Sequence, residues 1–160
     1  MHPAKTKIVY CKDANRTGTH DHTKLTFLGY EFRGRYVKNP KTGELFTGFT
    51  AAVSPAALTA MRQKARRLNY RNRTDLSLQD IASKLNPILR GWIAYYGWFR
   101  PSALGPLYRH INKSLVAWTM RKYKRFRNSK RRARLFIEEV SRKCPQLFAH
   151  WKPGMTGAFA

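Results

Sequence analysis

SPAALTAMRQKARRL, residues 54–68, is the stretch at which the chain changes its period. Ser54 stands where an N-cap accepts from the first unpaired backbone N–H groups, and Pro55 takes the first helical position, where its missing N–H costs nothing. Leu58, Met61, Ala65 and Leu68 recur at helical spacing as an apolar stripe, while Arg62, Lys64, Arg66 and Arg67 crowd the remaining surface. Upstream the chain reads as strand and turn, downstream as helix after helix. The stretch therefore predicts an α+β chain, mainly α, with a β lobe over 1–50 and a helical lobe over 51–160.

Working upstream, KIVY (Lys7–Tyr10) and KLTFLGYEF (Lys24–Phe32) read as strands, the second with Leu25, Phe27 and Gly29 on one face. Between them CKDANRTGTHDHT is polar and rich in turn formers. RGRYVKNPKTGELFTGF predicts a hairpin turning at NPKTGE. A lone glycine and a lone glutamate inside FLGYEF, the most apolar strand, call for either a local bend or a close approach by another backbone.

Working downstream, Ser77 and Asp80 form a capping-box pair ahead of Leu78, Ile81 and Leu85. Asn86-Pro87 is expected to end that helix and cap the next, ILRGWIAYYGWF, whose Trp92, Tyr95 and Tyr96 are expected to fill a core, with Gly91 and Gly97 allowing close approach. After a turn at RPSALG, a long helix carries Leu104, Leu107, Ile111, Leu115 and Trp118 on one side. Asn128-Ser129 offers a break and a new cap before RRARLFIEEVSRK, and Cys144 is expected to be buried at that helix's end.

The charge balance narrows the function. There are 32 Lys and Arg against 8 Asp and Glu, a formal net charge of +24, which a folded chain tolerates best when its partner is a polyanion. No apolar run is long enough for a transmembrane helix, so a membrane is not the expected partner. Cys11 and Cys144 are the only cysteines and the first residues lack a secretion signal, which fits a reducing cytoplasm. Six Lys or Arg fall between Arg62 and Arg73 (Arg62, Lys64, Arg66, Arg67, Arg71, Arg73). Another nine fall between Met120 and Arg134, among them Arg121, Lys122, Lys124, Arg125, Arg127, Lys130, Arg131 and Arg132, with Tyr123 and Phe126 interleaved. Cations that neutralise phosphates beside aromatics that stack on bases are the pattern of an RNA-binding surface.

No engine for phosphodiester chemistry accompanies that surface. A two-metal site needs clustered carboxylates, and the acids here are scattered, the adjacent pair Glu138-Glu139 pointing to different sides of a helix. His20, Asp21 and His22 with Cys11 lack the second ligand pair of a structural zinc site. No catalytic residue and no metal ligand is therefore assigned.

HPAKTKIVYCKD, FLGYEF, NPILRGWIAYYGWF, LYRHINKSLVAWTMRKYKRFR and LFAHW, in that order over nearly the whole chain, resemble the C-terminal half of bacterial group II intron reverse transcriptase/maturases. The resemblance implies a palm remnant followed by a helical thumb, the maturase-specific or X domain. It implies binding of group II intron RNA in the bacterial cytoplasm, with help to intron folding and splicing, and a grip on template–primer in a complete protein. FLGYEF is similar to the primer grip, which gives Phe27, Leu28, Gly29 and Tyr30 that role, and HPAKTK to the last palm motif, which puts Lys5 and Lys7 near the primer or nucleotide. The family's Tyr-x-Asp-Asp strand is absent, so Mg²⁺ is expected only in a complete polymerase and the chain is not expected to act as an enzyme alone. Met1 stands where the family usually reads Leu, which points to a truncated frame or a separately encoded piece partnered by a fingers/palm chain. The alternatives are a non-catalytic part of an RNA-directed DNA polymerase and a basic protein that binds RNA without specificity.

Overall fold

The computed structural model describes residues 8–13, 15–16 and 18–152. The chain divides into two compact units, Met1–Ala57 and Leu58–Ala160.

The first unit is an antiparallel sheet of three strands in the order β1 (Lys24–Phe27), β2 (Tyr30–Lys38), β3 (Leu45–Val53). Expected as one strand, KLTFLGYEF is two. Phe27 pairs with Tyr30 across a two-residue turn, and its central residues Leu28 (φ 48°) and Gly29 (φ 80°) both take positive φ, the requirement of a type I′ hairpin, whose twist matches that of the strands. Gly29 is thus a turn residue, and its carbonyl accepts from the Ser54 N–H at 2.8 Å. The solitary acid also finds its reason. Glu31, Arg33 and Arg35 alternate onto one face of β2, and the buried Glu31 carboxylate is held by Arg33 Nε at 3.0 Å and Arg35 Nη2 at 3.1 Å.

The β2–β3 turn falls at the predicted residues. Asn39 Oδ1 accepts from Lys41 N at 2.9 Å, and Asn39 N donates to the Glu44 carbonyl at 2.8 Å, an Asx turn. The expected KIVY strand is not formed over Ile8–Tyr10; Tyr10 N instead donates to the His22 carbonyl at 2.8 Å, and its ring stacks on His20 at 3.8 Å.

α1 (Pro55–Arg67) is capped as its sequence requires, Ser54 Oγ accepting from Ala57 N at 3.2 Å. In the second unit it buries Met61 and Ala65, and a short 3₁₀ turn, Tyr70–Asn72, follows. α2 (Leu78–Tyr96) opens on the predicted capping box, with Ser77 N donating to Asp80 Oδ2 at 2.8 Å and Asp80 N to Ser77 Oγ at 3.1 Å.

Contrary to the expected break at Asn86-Pro87, α2 runs on through Pro87. The fully buried Leu85 and Leu89 bracket the proline, and the Asn86 amide clamps the C-terminal segment, donating to the Leu147 carbonyl at 2.9 Å and accepting from Ala149 N at 2.8 Å. Burial on both sides outweighs the one backbone bond that a helical proline removes.

The aromatic run is also corrected. The buried stripe of α2 is Ile81, Ala82, Leu85 and Leu89; beyond it Trp92 and Tyr96 are half-buried, Tyr95 is exposed, and Trp98 is 82% exposed. Gly91 has no neighbour that a Cβ would meet, whereas a Cβ on Gly97 would run into the carbonyl oxygen of Ile93.

α3 (Gly105–Lys122) is the centre of the unit: Leu107, Ile111, Leu115 and Trp118 are completely buried. It packs against α4 (Lys130–Lys143), which Ser129 caps by accepting from Arg132 N at 3.3 Å. Phe148, His150 and Trp151 close the core, His150 Nε2 and Trp151 Nε1 both donating to Asn112 Oδ1, at 2.8 and 3.0 Å. Cys144, expected to be buried, is exposed. The chain is α+β and mainly α.

Candidate nucleic-acid interface

A helix with one apolar stripe turns its other side outward, and on α3 that side carries His110, Lys113, Ser114, Ala117, Met120 and Arg121, each three or four residues from the next or beside it. Together with neighbouring segments it forms a groove. One stretch, of about 590 Å³, is lined by Arg71, Ala117, Met120, Arg121, Lys122, Lys124 and Arg127. The adjoining stretch, of about 380 Å³, shares Arg71, Ala117 and Met120 and adds His110, Lys113, Ser114, Val116 and Lys130. Neither is lined by an Asp or Glu.

Arg71 brings the first basic run to the second. It rides on the 3₁₀ turn Tyr70–Asn72, which packs against α3. The turn is anchored by Tyr70, which is buried, with burial pushing its phenol up to about 12. On the far side the turn Lys124–Phe126 carries Lys124, and Arg127 and Lys130 follow before and at the start of α4. Six residues singled out in the sequence, Arg71, Arg121, Lys122, Lys124, Arg127 and Lys130, therefore share one groove.

Residues 58–136 match the family described as "Group II intron, maturase-specific domain". The chain carries a group II intron maturase-specific domain. No curated protein and no solved structure matches the chain significantly. The match runs from α1 into α4 and contains every residue that lines the groove.

Not every predicted contact in the maturase-specific domain is equally available. Lys122 Nζ donates to the carbonyls of Thr74 and Leu76 at 3.1 and 2.6 Å and lies 5.4 Å from the Trp118 ring centroid; it fastens the 74–76 loop as well as lining the groove. Arg73 makes a two-pronged pair with Asp75, at 2.7 Å for Nη2 and 2.9 Å for Nε, which holds the Asp75 carboxyl well below the usual carboxylate range. Arg62 folds back on its own helix, with Nε donating to the Leu58 carbonyl at 3.2 Å and Nη2 to Thr59 Oγ1 at 3.2 Å. Lys64, Arg66 and Arg67 are exposed on α1, and Arg131 and Arg132 on the first turn of α4. Arg125 lies over aromatic rings outside the groove.

The sequence missed His110, Lys113, Ser114 and Met120, although their spacing opposite Leu107, Ile111, Leu115 and Trp118 was there to be read. Burial, then Arg66, Arg62 and Lys113, hold the His110 imidazole below its ordinary range, so it adds no charge at neutral pH.

In the first unit Phe27 and Leu28 are 62% and 67% exposed at the β1–β2 turn, and Tyr30 is buried behind them. Lys5 and Lys7 lie outside the described residues. Among the described residues no three His, Cys, Asp or Glu gather where a metal could be held, and no helix is long and apolar enough to cross a membrane.

Proposed function

We propose that this chain is an RNA-binding maturase module that clamps group II intron RNA in the groove along α3. The observation that carries the reading is the meeting of Arg71, Arg121, Lys124, Arg127 and Lys130 around a concavity with no lining acid. Folding a catalytic RNA brings phosphates together, and a cationic groove lowers that repulsion while the RNA performs the splicing chemistry itself. The scattered carboxylates offer no seat for a pair of Mg²⁺ ions, so no polymerase step is assigned to this chain. In a complete protein the same unit, a thumb, grips template–primer. The exposed Phe27–Leu28 turn supports a primer-grip role for Phe27, Leu28, Gly29 and Tyr30 beside a separate fingers/palm chain.

The test is binding of the purified chain to group II intron RNA and to an unrelated RNA of equal length across a salt series. Intron RNA should compete better at raised salt. Equal competition at every salt concentration would leave a basic protein without specificity, the rival reading.

A further inference from the structure

The 3₁₀ turn Lys124–Phe126 sorts neighbouring cations by direction. Residues three apart eclipse on such a helix, and Lys124 and Arg127 both enter the groove. Arg125, a third of a turn away, lies instead across an aromatic cluster, its Cζ 4.5 Å from the ring centroid of Phe126, 5.5 Å from that of Phe136 and 5.9 Å from that of Tyr123. The rings are fixed. Phe126 and Phe136 pack at 5.1 Å, Tyr123 meets each of them edge-on, and Tyr123 in turn meets the fully buried Trp118 at 5.9 Å. Arg125 is itself exposed, and no carboxylate or carbonyl among the described residues takes its N–H groups.

A guanidinium is planar, weakly hydrated and stacks on π-faces, and one already laid on rings has less freedom to lose when a second flat group arrives. We propose that Arg125 is a stacking platform for an unpaired nucleobase of the RNA whose phosphates follow the groove, so that the site prefers a strand with an unpaired nucleotide to a continuous duplex. This rests on the groove being the RNA interface. Lys124 and Arg127, on the groove side of the same turn, take the flanking phosphates and leave the base to face Arg125. A paired base inside a helix cannot reach a surface guanidinium, whereas an unpaired one can be laid on it.

The test compares an RNA duplex with a duplex of the same length carrying a central mismatched loop, so that phosphate counts match. Arg125→Lys keeps the charge and removes the plane. Its affinity for the looped RNA should fall roughly tenfold, the order of one lost stacking contact. Affinity for the paired duplex should stay the same, and so should the salt dependence on both RNAs. Arg125→Met, which still covers the rings, should lose the preference for the loop as well, and thermal melts of both variants report whether the fold is intact. Equal weakening on both RNAs by Arg125→Lys, or no change on either, overturns the proposal while leaving the groove standing. A wild-type chain that binds neither RNA overturns both.

Discussion

Trp118 and Lys122 show how much one side chain can settle. The Trp118 indole is completely buried, yet its Nε1–H reaches the Arg73 carbonyl at 2.9 Å, and the Lys122 ammonium next to it satisfies two more carbonyls of the same loop. Lys122→Met, which keeps the stem and removes the donor, should lower stability by about 1–3 kcal/mol in urea denaturation, because two carbonyls lose a charged partner. Lys124→Ala, with an exposed side chain, should stay within about 0.5 kcal/mol of the parent. No sequence pattern separates these two lysines, since what distinguishes them is a loop nearly 50 positions upstream in the chain. His150 makes a second case. Burial pushes its imidazole down to about 3 from an ordinary 6.5. Between those values the unfolded chain takes up a proton that the folded chain refuses, so stability is full above about pH 6.5 and falls as pH drops, by about 1.4 kcal/mol per unit. His110, also held low, acts in the same direction. Unfolding free energies from urea denaturation at pH 7 and pH 5 should differ by about 2 kcal/mol on account of His150, and His150→Gln should flatten most of that slope.

At the scale of elements, the starts were easier to read than the ends. Ser54, Ser77 and Ser129 cap where their sequences place them, because a cap depends on a few adjacent residues. Pro87 misled for the opposite reason. Its local penalty is real, but the burial of Leu85 and Leu89 and the Asn86 clamp to residues more than 60 positions away outweigh it. The β1–β2 turn was hidden because Leu-Gly is not the Asn-Gly or Asp-Gly pair that marks a two-residue hairpin. Leu28 at φ 48° carries a Cβ where a left-handed backbone disfavours one, at about 1–2 kcal/mol. Leu28→Gly should therefore strengthen the hairpin by about 1 kcal/mol, read as slower amide exchange over β1 and β2. Unchanged exchange would show that the turn holds no such strain.

At the scale of the whole chain, composition already pointed to a polyanion, and the charge runs were visible as runs. Their meeting was not. Arg71 reaches the second run only because Tyr70 is buried against α3, and the polar side of α3 enters between them. Some charges that counted in the sequence are committed elsewhere, as Arg73 is to Asp75. Arg71→Ala with Arg127→Ala should lower the slope of log binding constant against log salt by about two units on duplex RNA. The pair Lys64→Ala with Arg67→Ala, outside the groove, should lower it less. Equal losses from both pairs would replace the groove with a diffuse cationic surface.

The absence of any acid along the groove, with Lys130, Arg131 and Arg132 crowding the positive end of α4, bears on how long a copy of this protein lasts. Unfilled, the groove keeps its own repulsion. Filled, it gains what any ligand of the native state supplies, about 2.7 kcal/mol at a hundredfold excess over Kd, which thins the unfolded population about a hundredfold. Proteases act largely on that population. If the groove holds RNA as proposed, copies made beyond the available RNA should be degraded first, seen as a shorter half-life under proteolysis without RNA than with it.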